Sequence, residues 1–226
     1  EHSRRYILSE GFRKDHVFVT GSPLNEVLLR HELKIDRSNI LAKLALEEKG
    51  YFVVSAHREE NIDLNENFIS LTGALNAVAE KYQYPIIFST HPRTKKKIDN
   101  EKISFNPLIK NISPLGFFDY VQLQKNAFCV LSDSGTISEE SAMMNFPAIS
   151  IRTSTERPEA IDFGAIILGG INQEDILNGI ETTLMTCPTD ERSIPESYQV
   201  KDVSNIVVRI IQSYTAIVNK VIWDKS

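Results

Sequence analysis

The sequence has few cysteines, glycines and prolines, and no run of apolar residues long enough to cross a membrane. Its 2 cysteines, Cys129 and Cys187, stand too far apart for a disulfide scaffold or a metal-ligand spacing. Cys129 lies in an apolar run, as a reduced core cysteine does, and two lone thiols fit a reducing cytosol. The 10 glycines and 9 prolines among 226 residues exclude collagen-like repeats and low-complexity disorder. No stretch reaches the ~20 apolar residues a membrane helix needs. Basic residues are scattered and the net charge is −5, so the stripe that phosphates along a nucleic acid require is missing. Neither GxxxxGK[ST] nor GxGxxG occurs, which removes the usual support for ATPase and NAD-binding readings. No signal peptide is visible. The chain begins Glu-His-Ser-Arg-Arg-Tyr, without methionine and in a helical pattern, and reads as a piece of a longer protein.

What is present is an ordinary globular composition, 42% hydrophobic and 24% charged, arranged in short apolar runs between longer amphipathic segments. The runs are Val17 to Thr20, Tyr51 to Ser55, Pro85 to Ser89, Phe128 to Leu131, Pro147 to Ile151 and Ala165 to Leu168. Each is nearly continuous in apolar character, as strands buried on both faces of a parallel sheet are. Phe68, Leu71, Leu75 and Val78 recur at three- and four-residue steps and predict one buried helical stripe. The alternation predicts a doubly wound α/β fold, in which ligands bind beyond the carboxyl ends of the strands. Val203 to Val221 is a long amphipathic helix, which packs either on its own sheet or on a partner domain. Gln173 to Val200 reads as a short helix and then a polar loop punctuated near Pro188 and Pro195.

Function is therefore to be sought just after each strand. His57-Arg58-Glu59-Glu60-Asn61 follows the run ending at Ser55, and His91-Pro92-Arg93 repeats the histidine and arginine after the next. A histidine beside an arginine can meet an anionic substrate and exchange protons near neutral pH, although either histidine alone is as well explained as a hydrogen-bonded loop residue. Lys95, Lys96 and Lys97 read as a solvated helix start. Ser132-Asp133-Ser134-Gly135-Thr136 leads into a helix beginning near Thr136, where free N–H groups and the helix dipole form an anion site. Glu140 falls one turn later on the same face, placed for paired ribose hydroxyls; a plain helix cap with a first-turn acid explains the same residues. Arg152 and Arg157, among hydroxyls after the run ending at Ile151, suit a diphosphate. The ligand these clusters point to is a nucleoside diphosphate conjugate.

Together, HREEN at 57–61, DSGTISEE at 133–140 and TSTERPEA at 153–160 closely resemble the non-hydrolysing UDP-N-acetylglucosamine 2-epimerase family. Val19 to Pro23 (VTGSP) and Pro114 to Phe117 (PLGF) also fit. VTGSP followed by HREEN looks most like the capsule and O-antigen branch that makes UDP-N-acetyl-L-fucosamine. The resemblance implies a Rossmann-like carboxyl-terminal domain of a GT-B-like two-domain enzyme. Residues 1–30 would be the end of the amino-terminal domain and a linker, 31–200 the UDP-binding domain, and 201–226 a helix returning to the other domain. It implies His57 as catalytic. Arg58, His91, Phe117, Ser134, Gly135, Thr136, Glu140 and Arg157 would hold UDP, with Phe117 stacking on uracil. Many relatives have a second glycine where this chain has Thr136. The implied reaction is anti elimination of UDP and its re-addition, with the catalytic carboxylates largely in the amino-terminal domain, so this chain alone should bind UDP and turn over poorly. The resemblance implies no cofactor, no metal, a UDP-sugar as substrate, a cytoplasmic homodimer, and no nucleic-acid or membrane partner. A GT-B glycosyltransferase, a hydrolysing 2-epimerase and a nucleotide-sensing module without chemistry are the alternatives.

Overall fold

The computed structural model describes residues 2–186 and 194–224. Cys187 and Pro188 lie outside the described residues. In chain order the helices are α1 (His2–Ser9), α2 (Leu24–Asp36), α3 (Ile40–Leu44), α4 (Glu59–Ile62), α5 (Asn65–Tyr82), α6 (Pro92–Asn100), α7 (Phe117–Lys125), α8 (Ile137–Met144), α9 (Pro158–Asp162), α10 (Gln173–Thr186), α11 (Glu196–Gln199) and α12 (Val203–Val221). The strands are β1 (Phe52–Ser55), β2 (Ile86–Ser89), β3 (Ile109–Ile112), β4 (Cys129–Ser132), β5 (Ala148–Ser150) and β6 (Ile167–Leu168). The chain forms two compact units, one of residues 32–194 and one of residues 1–31 with 195–226.

In the larger unit the six strands lie in the order β3-β2-β1-β4-β5-β6, every pair parallel. This is the Rossmann-like, doubly wound order, and its direction of winding reverses between β1 and β4. Phe52, Val54, Ile86, Phe88, Cys129 and Leu131 pack with α5 and α10 in one core, while Val53, Ile87 and Val130 are fully buried from the opposite face. Burial on both faces is why these strands read as unbroken apolar runs. The stripe Phe68, Leu71, Leu75 and Val78 is wholly buried, as its spacing predicts. Pairing brings Ser55 opposite both Ser89 and Ser132, and Ser132 opposite Ser150, so a row of serines marks the carboxyl edge.

Two expectations about strands are corrected. Ile109–Ile112 is a strand that the apolar runs do not announce, because it sits at the sheet edge with Lys110 and Asn111 exposed. Val17 to Thr20 is extended but pairs with no strand. It belongs to the smaller unit, where Phe18 meets Tyr214 of α12 edge-on at 4.6 Å. Its apolar residues are partly or largely exposed rather than buried in the sheet.

In the smaller unit, the Glu26 carboxylate of α2 accepts hydrogen bonds from the Ser204 backbone N–H (2.8 Å) and hydroxyl (2.5 Å), satisfying a free donor at the start of α12. The Ser204 hydroxyl and N–H hold that carboxylate below its ordinary pKa. Gly21 has a φ of +85°, and a Cβ there would lie 2.6 Å from Val200, so both backbone and space demand glycine. The neighbouring Ser22 N–H reaches the Ser197 carbonyl at 2.8 Å.

The stripe on α5 generates a paired prediction. Leu71→Ala should cost about 2–5 kcal/mol of unfolding free energy through the cavity it leaves. Ile69→Ala, two positions away and 58% exposed, should stay within about 0.5 kcal/mol. Urea denaturation of both variants checks this, and equal losses would mean that the helix face is assigned wrongly.

Candidate functional site

The carboxyl ends of β1, β4 and β5 are tied together at the point where the winding reverses. The tie is the side chain of Asp133, the first residue after β4, which is fully buried. Its Oδ2 accepts from the backbone N–H groups of His57 and Arg58, both at 2.9 Å, and from Asn61 Nδ2 at 3.1 Å. Its Oδ1 lies 3.0 Å from Nδ1 of the His57 ring. Asn61 Nδ2 also reaches the Ile151 carbonyl beyond β5 at 3.1 Å. A buried carboxylate is tolerable only when its oxygens are so engaged. Burial alone pushes the Asp133 carboxyl up; hydrogen bonds from the His57 ring and the Arg58 and His57 amides outweigh it, leaving it below its ordinary value. The same contact raises the His57 pKa, against the opposing pull of partial burial and of the Arg58 charge.

Beyond Asp133 the chain turns into α8. The Ser134 hydroxyl accepts from the Thr136 N–H at 3.4 Å and lies 2.9 Å from the Thr136 hydroxyl. Thr136 in turn donates to Glu140 Oε1 at 2.7 Å, and Gln124 of α7 donates to Glu140 Oε2 at 2.7 Å. The order of donors follows, because a carboxylate only accepts: Ser134 to Thr136 to Glu140. Burial raises the Glu140 pKa. Gly135 differs from Gly21. Its φ is not in the left-handed region, and a Cβ would meet only Arg58 Nη2, at 3.8 Å. Nothing among the described residues requires a glycine there.

Arg58 donates through Nε to the Asp133 carbonyl at 3.0 Å, and its Nη1 lies 3.7 Å from Glu156. The guanidinium is therefore anchored beside the Ser134–Thr136 turn with only a loose anionic partner. Arg152 is the reverse case. It is 3% exposed and held in a two-pronged pair by Glu156, both contacts 2.7 Å, with Glu60 at 3.5 Å. Hydrogen bonding to Arg152 lowers the Glu156 carboxyl to about 2. Of the two arginines expected to face a diphosphate, Arg152 thus has its guanidinium taken up by carboxylates of the chain. Arg157 Nε lies 2.8 Å from Glu139 Oε1, in the first turn of α8.

His57 and His91 line one cavity of about 260 Å³ with Glu59, Ile62, Asp63, Arg93 and Thr94. His91 caps α6 by accepting from the Arg93 N–H at 3.4 Å. Lys97 of that helix is less solvated than its sequence suggests, since it reaches Asn65 Oδ1 at 2.7 Å and stands over the Phe68 ring. Phe117 is 44% exposed at the first position of α7, seven residues before Gln124 and hence on the same helix face. The structure thus brings His57, Arg58, Ser134, Gly135, Thr136, Glu140 and Arg157 to one edge; His91 joins through the cavity and Phe117 through α7. Sequence reasoning assigned no role to Asp133, Asn61 or Gln124. An acid directly after a buried strand is a signal for the first, whereas Gln124 carries none.

Known proteins resemble this chain over most of its length. The sequence model of a family described as UDP-N-acetylglucosamine 2-epimerase matches residues 1–212. A UDP-N-acetylglucosamine 2-epimerase of Methanococcus maripaludis is 36% identical over 187 residues, covering 79% of this chain and 50% of that protein. The solved UDP-N-acetylglucosamine 2-epimerase of Rickettsia bellii is 39% identical with a TM-score of 0.89, covering all of this chain and 61% of that one. The Methanocaldococcus jannaschii UDP-GlcNAc 2-epimerase, solved in complex with UDP-GlcNAc and UDP, is 31% identical with a TM-score of 0.82, covering 93% and 59%. This chain spans about half the length of the curated relatives it matches. An ADP-heptose heptosyltransferase of Escherichia coli, 11% identical with a TM-score of 0.50 over 65% of this chain and 50% of that one, shares the fold alone.

The Asp133 tie predicts a pH signature. Asp133→Asn turns an acceptor into a donor facing three N–H groups and should cost about 3 kcal/mol or more at pH 6. The Asp133 contribution, from a lowered pKa, is complete above the ordinary carboxyl value of about 3.9 and fades as pH falls through the folded value. The His57 contribution, from a raised pKa, is complete below about 6.5 and fades as pH rises through the folded value. Urea denaturation across pH should therefore show the gap between wild type and variant widest between these limits. A gap below 1 kcal/mol, or one that does not vary with pH, contradicts the assignment.

Proposed function

The chain belongs to the UDP-N-acetylglucosamine 2-epimerase family, and from that premise we propose that residues 32–194 form the UDP-holding part of a sugar-nucleotide 2-epimerase. The observation that carries this reading is Gly135, a glycine no internal constraint demands, placed at the start of α8 under the Arg58 guanidinium. A phosphate can approach the backbone closely there and meet N–H groups, the positive end of the helix and a cation together. One turn along, Glu140 is held by Thr136 and Gln124 with lone pairs to spare, as two ribose hydroxyls require. Phe117, farther along the Gln124 face of α7, offers its ring for the base.

In the proposed reaction, a base outside these residues removes the proton at C2 of the sugar while the C1–O bond to UDP breaks. The electron pair of the C2–H bond becomes the C1–C2 double bond, and the leaving oxygen keeps the C–O pair. Return of a proton to the opposite face of C2 and re-addition of UDP at C1 complete the inversion. Elimination is driven by stabilising the departing diphosphate, which is the work assigned to the Ser134–Thr136 turn, Arg58, Arg157 and His57. His91 stands close enough to the same cavity to contact the sugar end. The chemistry calls for no cofactor.

We extend the proposal to the branch that forms UDP-N-acetyl-L-fucosamine for bacterial surface polysaccharide, supported by Val19–Pro23 followed by His57–Asn61. On the same resemblance the enzyme would be a cytoplasmic homodimer with a second domain. The apolar side chains of α12 that stay exposed, Val208, Ile211, Ile217 and Val221, would pack on the rest of it. The glycosyltransferase alternative is supported by fold alone.

Calorimetric titration with UDP tests the reading. Saturable binding is expected, weakened roughly ten- to hundredfold by Glu140→Ala through the loss of hydrogen bonds to a charged group. Gly135→Val should weaken binding by a similar factor while the urea midpoint stays close to that of wild type, because the protein itself has room for the side chain. Absence of binding at millimolar UDP, or full affinity in Glu140→Ala, would sink the proposal.

A further inference from the structure

We propose that Asp133 is a positioning residue for His57: it fixes the imidazole through Nδ1 and leaves Nε2 to meet the phosphate of the bound nucleotide as a cationic hydrogen-bond donor. The geometry is unusual in its economy. The same carboxylate that takes Nδ1 at 3.0 Å also takes the His57 backbone N–H at 2.9 Å, so ring and backbone of one residue are fixed by one anion. The carboxylate is fully buried, while the His57 side chain is 55% exposed. The ring is thus held from behind and open in front, where it lines the cavity shared with His91. Nε2 makes no protein hydrogen bond among the described residues. A ring nitrogen bonded to a carboxylate carries a proton in both charge states, so the nitrogen that titrates is Nε2.

The charged groups facing His57 come from several elements. Asp133 lies behind it, Arg58 beside it, Glu59 and Asp63 in and after α4, and His91 and Arg93 across the cavity at the start of α6. Arg93 is paired with Asp63 at 2.6 Å and lies 3.6 Å from Glu59, so its charge is spent on those two carboxylates, which leave one net negative charge on that side of the cavity. Arg58 disfavours the imidazolium and Asp133 favours it; the direct, short contact to Asp133 prevails and the pKa rises. In its protonated state the ring presents a cation to an incoming diphosphate and can pass a proton to the leaving oxygen. The identity of that anion rests on the UDP reading, whereas the state of the ring does not.

The test separates the two. Long-range ¹H–¹⁵N correlation spectra of the ligand-free chain, with His57 assigned by His57→Gln, report its pKa and tautomer. The expected result is a pKa above the ordinary value of about 6.5 and, at high pH, a proton on Nδ1 with Nε2 bare. A proton on Nε2 instead, or an ordinary pKa, overturns the proposal. In Asp133→Asn the pKa should drop below that of wild type, and an unchanged value also overturns it; if that variant does not fold, the wild-type tautomer decides. UDP titrations from pH 6 to 9 then give the ratio of wild-type to His57→Gln affinity, in which the titration of UDP itself cancels. That ratio should fall roughly tenfold as His57 loses its proton, and a constant ratio refutes the contact with phosphate. Failure of UDP to bind at any pH, beside the expected spectra, would refute the nucleotide and leave the Asp133–His57 arrangement standing.

Discussion

A single buried negative charge organises this edge of the sheet. Asp133 has no water to solvate it, so every hydrogen bond it accepts must come from the chain. It collects them from β1's extension, from α4 and from the His57 ring. Asn61 then carries the connection to the end of β5. This is the point where the winding reverses and a crevice opens beyond the strand ends. The site is therefore held in shape before any ligand arrives, by an interaction too costly to leave half made.

The cations around that anion fall into two classes. Arg152 is buried and saturated by Glu156 and Glu60, and acts as a strut for the segment after β5. Arg58 is tied to the Asp133 carbonyl by one nitrogen and keeps the rest of its fork over Gly135, with Glu156 no closer than 3.7 Å. Because Glu156 is already engaged by Arg152, its pull on Arg58 is divided. A diphosphate arriving at the turn would find Arg58 the readier partner. Proximity in sequence says nothing of this division, since both arginines simply follow a strand.

What was legible in the sequence is what one strand or one helix determines by itself. The central strands and the stripe on α5 are buried on faces that repeat at a fixed period, so their patterns stand out. Thr136 and Glu140 are one helical turn apart, and their contact follows from spacing alone. Edge strand β3 was hidden because two of its four residues face solvent, and Val17 to Thr20 misled because an apolar run can lie extended without joining a sheet. Asp133, Asn61 and Gln124 stayed without roles for a related reason. Their partners lie 76, 90 and 16 residues away, at distances along the chain that only the sheet order sets.

The same reasoning bears on why the fold does not decide the chemistry. A heptosyltransferase shares this architecture at 11% identity, and any doubly wound sheet offers a crevice with helix N-termini at its switch point. Those features suffice to hold a nucleoside diphosphate, whichever bond is to be broken. Beyond the fold, this chain has an imidazole that Asp133 holds from behind at the edge of the sheet, with a second histidine lining the same cavity. A transferase needs its leaving diphosphate to depart and an acceptor to take its place. An epimerase needs the same diphosphate to leave, stay and return. A cation fixed rigidly from behind suits the second task, because it lowers the energy of free UDP in place without moving to follow it.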